Sequence, residues 1–186
     1  NWGIAFLKPR FGGLGRGIHR VQPGDPLPAW GPGAVKGGSE PTFLQRAIIP
    51  PAKLGSLCVR WLIQREPNGK WSALPAVARI SEKAVANVHQ GAQALAAEAV
   101  LPPAALEKAR ELVYEVAQQL QAHSNGLVVE LGVDLVFDKD FRPWLLEINS
   151  RPSGRFQALS NTDPDRYHSL ADEAVLRPIR CLAALS

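Results

Sequence analysis

The stretch VELGVDLVFDKDFRPWLLEINSRP, residues 129–152, decides the fold. Residues 128–137 and 143–149 are rich in Val, Leu, Ile and aromatic side chains, and the polar run DKD lies between them. Such a pattern predicts two antiparallel strands, with Lys139 and Asp140 as a two-residue loop.

Three oxygen-bearing side chains interrupt these strands. With the two-residue loop, position 134 pairs with position 145, and the period of two places Asp134, Glu147 and Asn149 on one sheet face. Neighbouring carboxylates repel unless a cation lies between them, and Mg²⁺ prefers oxygen ligands, whereas Zn²⁺ would require His or Cys. The pattern therefore predicts a metal site. A solvated hairpin is the alternative, disfavoured because Glu147 interrupts the apolar run WLLEI.

The N-terminal part of the chain carries groups suited to phosphates. Residues 4–8 form a short apolar run ending in Lys8, and the glycine-rich run GGLGRGI follows at residues 12–18. Glycines let backbone N–H groups approach phosphate oxygens closely, and Lys8 adds a compact positive charge. Neither a P-loop nor a Rossmann fingerprint fits this run. It predicts a phosphate-binding loop, with a flexible turn as the alternative.

The remaining chain contains two helical patterns and one segment rich in Pro and Gly. Apolar residues at helical spacing predict a helix over 103–122, and a second helix is predicted over 165–176, ending before Pro178. Residues 22–42 are dense in Pro and Gly and predict a long loop, which serves either as a lid or as an ordinary linker.

Composition limits the class of protein. With 186 residues, 46% of them hydrophobic, the chain can form one compact domain or two small lobes. The sequence contains no run of about 18 apolar residues, and no charged segment followed by an apolar one precedes the first predicted strand, so we expect no membrane partner and a cytoplasmic location. Cys58 and Cys181 lack a CxxC partner, which favours reduced thiols.

Charge is distributed unevenly along the chain. Residues 1–60 hold eight Lys/Arg against two Asp/Glu, and residues 101–150 hold eight Asp/Glu against four Lys/Arg. A basic end suits phosphates and an acidic end suits a metal. Nucleic-acid binding is the alternative for a net charge of +4, but the basic residues are scattered and match no nucleic-acid motif.

Together, the strand ending in Lys8-Pro9, the glycine run and the distant Asp…Glu-x-Asn resemble the ATP-grasp superfamily. The sequence of residues 129–152 is most similar to the endospore coat-associated branch of this superfamily, the YheC/YheD-like proteins. Further segments resemble the family in order: FLQRAII (43–49) its adenine-contacting hinge strand, VRWLIQ (59–64) and AVARI (76–80) the next two strands, and ANVHQG (86–91) a stretch of the glutamate-ligase-like branch.

This resemblance implies an α+β, ATP-grasp fold, in which two α+β lobes clasp a nucleotide cleft. Residues 1–50 would form the N-terminal lobe with the phosphate loop and hinge strand, and residues 51–186 the C-terminal lobe with the metal site. The chain has no Met and begins at Asn1, so we expect a fragment or processed product from which the family's N-terminal domain is absent.

The resemblance also implies roles for individual residues. The phosphates would be bound by Lys8, Gly13, Gly15, Arg16 and Gly17, and adenine by the main chain of Gln45, Arg46, Ala47 and Ile48. Arg60, Arg79 and Asn87 would be catalytic, stabilising the transferring phosphoryl group or holding the acceptor. A structural salt bridge is the alternative for both arginines.

The implied activity is that of an ATP-dependent carboxylate–amine ligase acting through an acylphosphate, with ATP and Mg²⁺, or Mn²⁺, as cofactors. A carboxylate and an amine nucleophile would be its substrates. Cys58 stands where relatives tend to place an acidic residue. This departure raises the alternative of a nucleotide-binding module without ligase activity, in a structural or spore-coat-associated role.

Overall fold

A computed structural model describes residues 3–10, 17–26, 42–51, 54–81, 92–152, 156–159 and 162–184. The chain divides into two compact units, Asn1–Ile49 and Pro50–Ser186. Each unit contains its own β-sheet.

The first unit contains a three-stranded antiparallel sheet in the order β2-β1-β3. Its strands are β1 (Ala5–Pro9), β2 (His19–Val21) and β3 (Thr42–Arg46). Ala5, Leu7 and Val21 are buried on one face, as the two-residue period of a strand requires. The predicted strand over 43–49 forms but ends at Arg46.

The second unit contains a six-stranded antiparallel sheet in the order β7-β6-β4-β8-β9, with β5 paired to β4. Its strands are β4 (Ser56–Arg65), β5 (Trp71–Ala73), β6 (Val77–Ser81), β7 (Gln93–Ala96), β8 (Glu130–Phe137) and β9 (Pro143–Asn149). Its helices are α1 (Pro103–His123) and α2 (Pro164–Ala183), with short 3-10 turns at Ala97–Ala99 and Phe156–Leu159. Strands β5 and β7 were not predicted from the sequence, since they are only three and four residues long.

Helix α1 covers one face of this sheet. Its inward positions Ala105, Ala109, Val113 and Ala117 are buried in a single apolar cluster with alternate residues of β4 and β8. The predicted helix over 103–122 is therefore confirmed. Because the odd-numbered residues of β4 from 57 to 63 face α1, the even-numbered ones face the opposite side, where the polar residues lie.

Helix α2 continues through Pro178, so the predicted end before this proline is wrong. Proline has no N–H to donate to the carbonyl four residues earlier, which here is that of Ala174. Gln64 on β4 compensates, since its Nε2 donates to the Ala174 carbonyl oxygen at 2.7 Å. The helix thus passes the proline with that acceptor satisfied.

The hairpin between β8 and β9 forms, but with a different register from the one predicted. Three residues form its loop, because Asp138 N–H donates to the Arg142 carbonyl and Phe141 occupies the left-handed region with φ of 58°. Asp134 therefore pairs with Glu147 and not with position 145, after a register shift beside Asp134. Phe141 packs against the core, which offsets the strain of its backbone.

Neither helix of the described residues is long and apolar enough to cross a membrane.

Candidate functional site

The sheet face opposite α1 carries a cluster of charged residues from three adjacent strands. Arg60 of β4 pairs in register with Asp134 of β8, and Cys58 of β4 with Arg79 of β6. Directly opposite residues of an antiparallel pair point to the same face, so the β4 register brings both arginines toward one carboxylate.

Asp134 lies at the centre of this cluster and is 1% exposed. Arg60 donates from Nε to Oδ1 at 2.7 Å and from Nη2 to Oδ2 at 2.6 Å, which is the bidentate arrangement that favours guanidinium–carboxylate pairs. Arg79 adds an ion pair between Nη2 and Oδ1 at 3.0 Å. The salt-bridge alternative for the two arginines is thus what this structure contains.

The two arginines determine the charge state of Asp134. Burial by itself raises the pKa of this carboxyl, but the Arg60 hydrogen bonds and the charges of both guanidinium groups outweigh burial and hold the pKa below its usual value. Asp134 is therefore ionised at neutral pH. Both arginines are 7% exposed, so the cluster has two buried positive charges against one fully buried negative charge.

Cys58 is the fourth buried member of the cluster. Its Sγ accepts a hydrogen bond from Arg79 Nη2 at 2.8 Å. Burial, followed by the charge of Asp134, raises the pKa of the Cys58 thiol to about 12, so the sulfur is protonated and poorly nucleophilic at neutral pH. Nε of Arg79 is buried without a hydrogen-bond partner in the part of the chain that the structure describes.

Strand β9 adds Glu147 and Asn149 to the same face, as predicted. Glu147 lies opposite Asp134, and Asn149 opposite Gly132. Asn149 Nδ2 donates to Glu147 Oε1 at 3.3 Å. Burial, followed by the hydrogen bond and charge of Asp134, raises the pKa of the Glu147 carboxyl above its usual value. Its side chain is 57% exposed and so is accessible to a ligand.

The chain after β9 folds back closely over β8. A Cβ at Gly132 would lie 2.6 Å from the Cβ of Pro152, which is closer than side chains tolerate. Glycine at this position therefore allows residues 150–152 to pass over the strand two residues before Asp134.

Oxygen atoms are the donors that this face offers to a metal. Asp134, Glu147 and Asn149 present carboxylate and amide oxygens on one face, which is the chemistry that Mg²⁺ prefers. Among the described residues no group of three His, Cys, Asp or Glu side chains is placed to hold a metal ion. Two carboxylates are sufficient when phosphates supply further ligands, so the residue types fit a metal that arrives with a nucleotide. In this structure, however, the guanidinium groups of Arg60 and Arg79 occupy both oxygens of Asp134.

The first unit contains several of the residues that are predicted to contact the nucleotide. Lys8 pairs with Phe43, and Phe6 with Gln45, so Lys8 and Gln45 lie on one sheet face while Arg46 lies on the other. Ala47 N–H donates to the Ile4 carbonyl at 3.0 Å, which removes this donor from the predicted adenine contacts. Ile48 is half-buried.

The predicted phosphate loop is described only at its end. Gly17 has a φ of 70°, in the left-handed region that favours glycine. Outside the described residues lie Gly13, Gly15, Arg16 and Asn87.

The family model described as YheC/D like ATP-grasp matches residues 39–175 of this chain. Comparison with curated proteins gives no match.

Solved structures with a similar fold are synthetases and a synthase whose chains are longer than this one. The ADP complex of PurK, an N5-carboxyaminoimidazole ribonucleotide synthetase, has a TM-score of 0.54 at 15% identity, covering 80% of this chain and 34% of that chain. D-alanyl-alanine synthetase A from Vibrio cholerae O1 biovar eltor has a TM-score of 0.53 at 14% identity, covering 96% and 53%. Carboxyaminoimidazole ribonucleotide synthase from Aspergillus clavatus complexed with ATP has a TM-score of 0.51 at 18% identity, covering 80% and 34%.

This chain therefore spans about a third to about a half of the length of these enzymes. At such identities the likeness shows the fold alone, and it confirms the α+β, ATP-grasp fold predicted from the sequence.

Proposed function

Because the chain belongs to the YheC/D-like ATP-grasp family, as its sequence predicted, we propose that it binds ATP together with Mg²⁺ and uses ATP to activate a carboxylate. Mn²⁺, which also prefers oxygen ligands, is the alternative ion. The observation that carries this proposal is the cluster of Arg60, Arg79, Asp134 and Glu147 on one sheet face.

In this proposal Asp134, Glu147 and Asn149 hold the metal. The ion, when bound, neutralises charge on the phosphate oxygens. Glu147 supports this role, since a half-exposed carboxylate beside a second carboxylate is a favourable place for a cation. Asn149 is already within hydrogen-bond distance of Glu147, which keeps the two side chains together.

Arg60, Arg79 and Asn87 act on the reacting groups in this proposal. Phosphoryl transfer requires positioning and neutralisation of charge more than covalent catalysis. Buried guanidinium groups suit this task, because their field is little screened and their planar donors match phosphate and carboxylate oxygens. The high pKa of Cys58 agrees with this assignment, since a protonated thiol is no nucleophile.

The first unit would bind the rest of the nucleotide. Lys8 and the glycine run, including Gly13, Gly15, Arg16 and Gly17, would contact the phosphates. Gln45, Arg46, Ala47 and Ile48 would contact adenine, with Ala47 contributing its carbonyl and not its N–H.

The proposed reaction has two steps. A carboxylate oxygen of the substrate attacks the γ-phosphorus of ATP, forming an acylphosphate and releasing ADP. An amine then attacks the acyl carbon, forming an amide and releasing phosphate. The overall stoichiometry is therefore one ATP converted to ADP and phosphate per amide formed.

A nucleotide-binding module without turnover is the second candidate, in a structural or spore-coat-associated role and with a cytoplasmic or spore-associated location. Cys58 favours it, because an uncharged thiol occupies the position in the cluster where the resemblance to the superfamily implies a carboxylate. The site would then bind the nucleotide but hold the acceptor less well.

Release of ADP distinguishes the two candidates. We expect the chain with ATP and Mg²⁺ to release ADP only when a suitable carboxylic acid is added, as measured by a coupled assay over a panel of acids and amines. Arg79→Lys should lower this rate, since it removes the planar donors, while exposed Arg110→Lys on α1 serves as the control. Metal-dependent ATP binding without acid-dependent ADP release across the panel would support the module instead.

A further inference from the structure

One nitrogen of Arg60 lies close to both carboxylates of the proposed metal site. Its Nη2 is 2.6 Å from Asp134 Oδ2 and 3.8 Å from Glu147 Oε1. Its Nε is 2.7 Å from the other oxygen of Asp134. Arg60 therefore contacts both oxygens of one proposed ligand and reaches toward the second.

A cation is already present where a metal would be held. A divalent ion on Asp134 and Glu147 would lie against the Arg60 guanidinium, and two like charges this close repel strongly in a buried site. Arg60 is 7% exposed and cannot be neutralised by losing a proton. Asp134 can therefore accept a metal only if Arg60 moves away from it.

If Arg60 moves away from Asp134, its guanidinium needs a new anionic partner. A buried guanidinium without an anion is strongly destabilising. Asp134 itself would not be left unpaired, because Arg79 Nη2 lies 3.0 Å from Oδ1, whereas the Arg60 nitrogen that reaches toward Glu147 contacts Oδ2. What the departing Arg60 lacks is an anion, and the phosphates of a nucleotide supply one.

We propose that Arg60 occupies the cation position of this site in the nucleotide-free chain and so makes metal binding depend on nucleotide phosphates. The inference rests on the proposed function, since it takes Asp134 and Glu147 as metal ligands. Arg60 excludes a metal that arrives alone and releases Asp134 when phosphates bind its guanidinium. Nucleotide and metal then strengthen each other's binding, and this coupling is reciprocal.

The test uses Mn²⁺ alone, with the 186-residue chain free of nucleotide. Loss of the electron paramagnetic resonance signal of free Mn²⁺ reports binding. We expect Arg60→Gln to bind Mn²⁺ about 10-fold more tightly than the wild type, because the competing charge is gone. Arg110→Gln removes the same charge from an exposed position on α1 and should match the wild type. Adding Glu147→Gln to Arg60→Gln should abolish the gain.

Equal Mn²⁺ affinities for Arg60→Gln and Arg110→Gln would overturn the inference. If Arg60→Gln does not fold, Arg60→Lys keeps a charge but loses the bidentate contact, and a smaller gain in Mn²⁺ affinity is expected. The wild type gives a second measurement through the Nε–H resonance of Arg60. This resonance should stay in place with Mg²⁺ alone and shift when Mg²⁺ and a non-hydrolysable ATP analogue are added together.

A shift of equal size with Mg²⁺ alone would also contradict the inference. Failure of the proposed function has a different appearance, since the wild type would then show no response to ATP with Mg²⁺ in any assay. The comparison of Mn²⁺ affinities between variants remains decisive in that case, because it uses no nucleotide.

Discussion

At the scale of single residues, Asp134 is a structural counter-ion as well as a proposed ligand. Its carboxylate compensates two buried guanidinium groups, and those groups lie on strands β4 and β6, on the same side of β8. A buried ion pair adds little stability over an apolar replacement, but removal of one partner leaves uncompensated charge. The ion cluster therefore makes the fold sensitive to change at this position.

Asp134→Ala should lower the free energy of unfolding by about 3–5 kcal/mol, because Arg60 and Arg79 lose their counter-charge inside the protein. Urea denaturation measures this loss. Asp140→Ala is the matched control, as that carboxylate is 71% exposed and pairs with its neighbour Lys139, and we expect it to leave the midpoint nearly unchanged. A loss for Asp134→Ala no greater than that of the control would be evidence against the charged cluster.

Which arginine pairs with which carboxylate could not be predicted from the sequence. Arg60 and Asp134 are 74 residues apart, and both a phosphoryl contact and a salt bridge fit an arginine in that position. The pairing follows from the β4–β8 register, which depends on packing along the whole sheet. The sequence predicted the residue types of the site and the sheet face that they share. The contacts between their side chains were seen only in the structure.

At the scale of elements, the regular patterns were predicted and the exceptions were not. Helix α1 was predictable from its apolar spacing, because the residues of its buried face recur every four positions in the sequence. The hairpin register was wrong because Phe141 takes a left-handed position usually marked by glycine, and because the ladder shifts beside Asp134. Neither feature leaves a recognisable signal in the residues of the loop.

The end of helix α2 could not be predicted either, because it depends on a contact with a residue far away in the sequence. The residue that allows it to continue past Pro178 is Gln64, which is 110 residues from the carbonyl it satisfies. Gln64 is fully buried and also donates to Glu130 Oε2 at 3.0 Å, so this side chain ties α2 to two strands of the sheet.

Gln64→Leu should lower the free energy of unfolding by about 1–3 kcal/mol, since the Ala174 carbonyl loses its donor. Gln118→Leu on the exposed surface of α1 is the control for the same change of residue. Combining Gln64→Leu with Pro178→Ala restores a backbone N–H for that carbonyl and should recover part of the loss in urea denaturation. No recovery in the double variant would show that Gln64 acts through its other contacts.

At the scale of the whole molecule, family membership and fold agree with the functional hypothesis, and the chemistry stays a proposal. The matched region covers residues 39–175, and the similar enzymes of known structure are two to three times as long as the part they share with this chain. We therefore base the proposed binding of nucleotide, metal and substrates on the charged cluster as well as on the comparisons.

The most direct test of the central claim is a thermal-shift titration with ATP in the presence and absence of Mg²⁺. We expect the wild-type melting temperature to rise with Mg²⁺ and ATP together, by about 5 °C or more at a ligand concentration near 100 times Kd. Glu147→Gln should lose most of this rise, because it removes the exposed carboxylate of the site, while Glu111→Gln on α1 should keep it. No rise for the wild type at millimolar ATP, or an equal rise for Glu147→Gln, would contradict nucleotide and metal binding at this cluster.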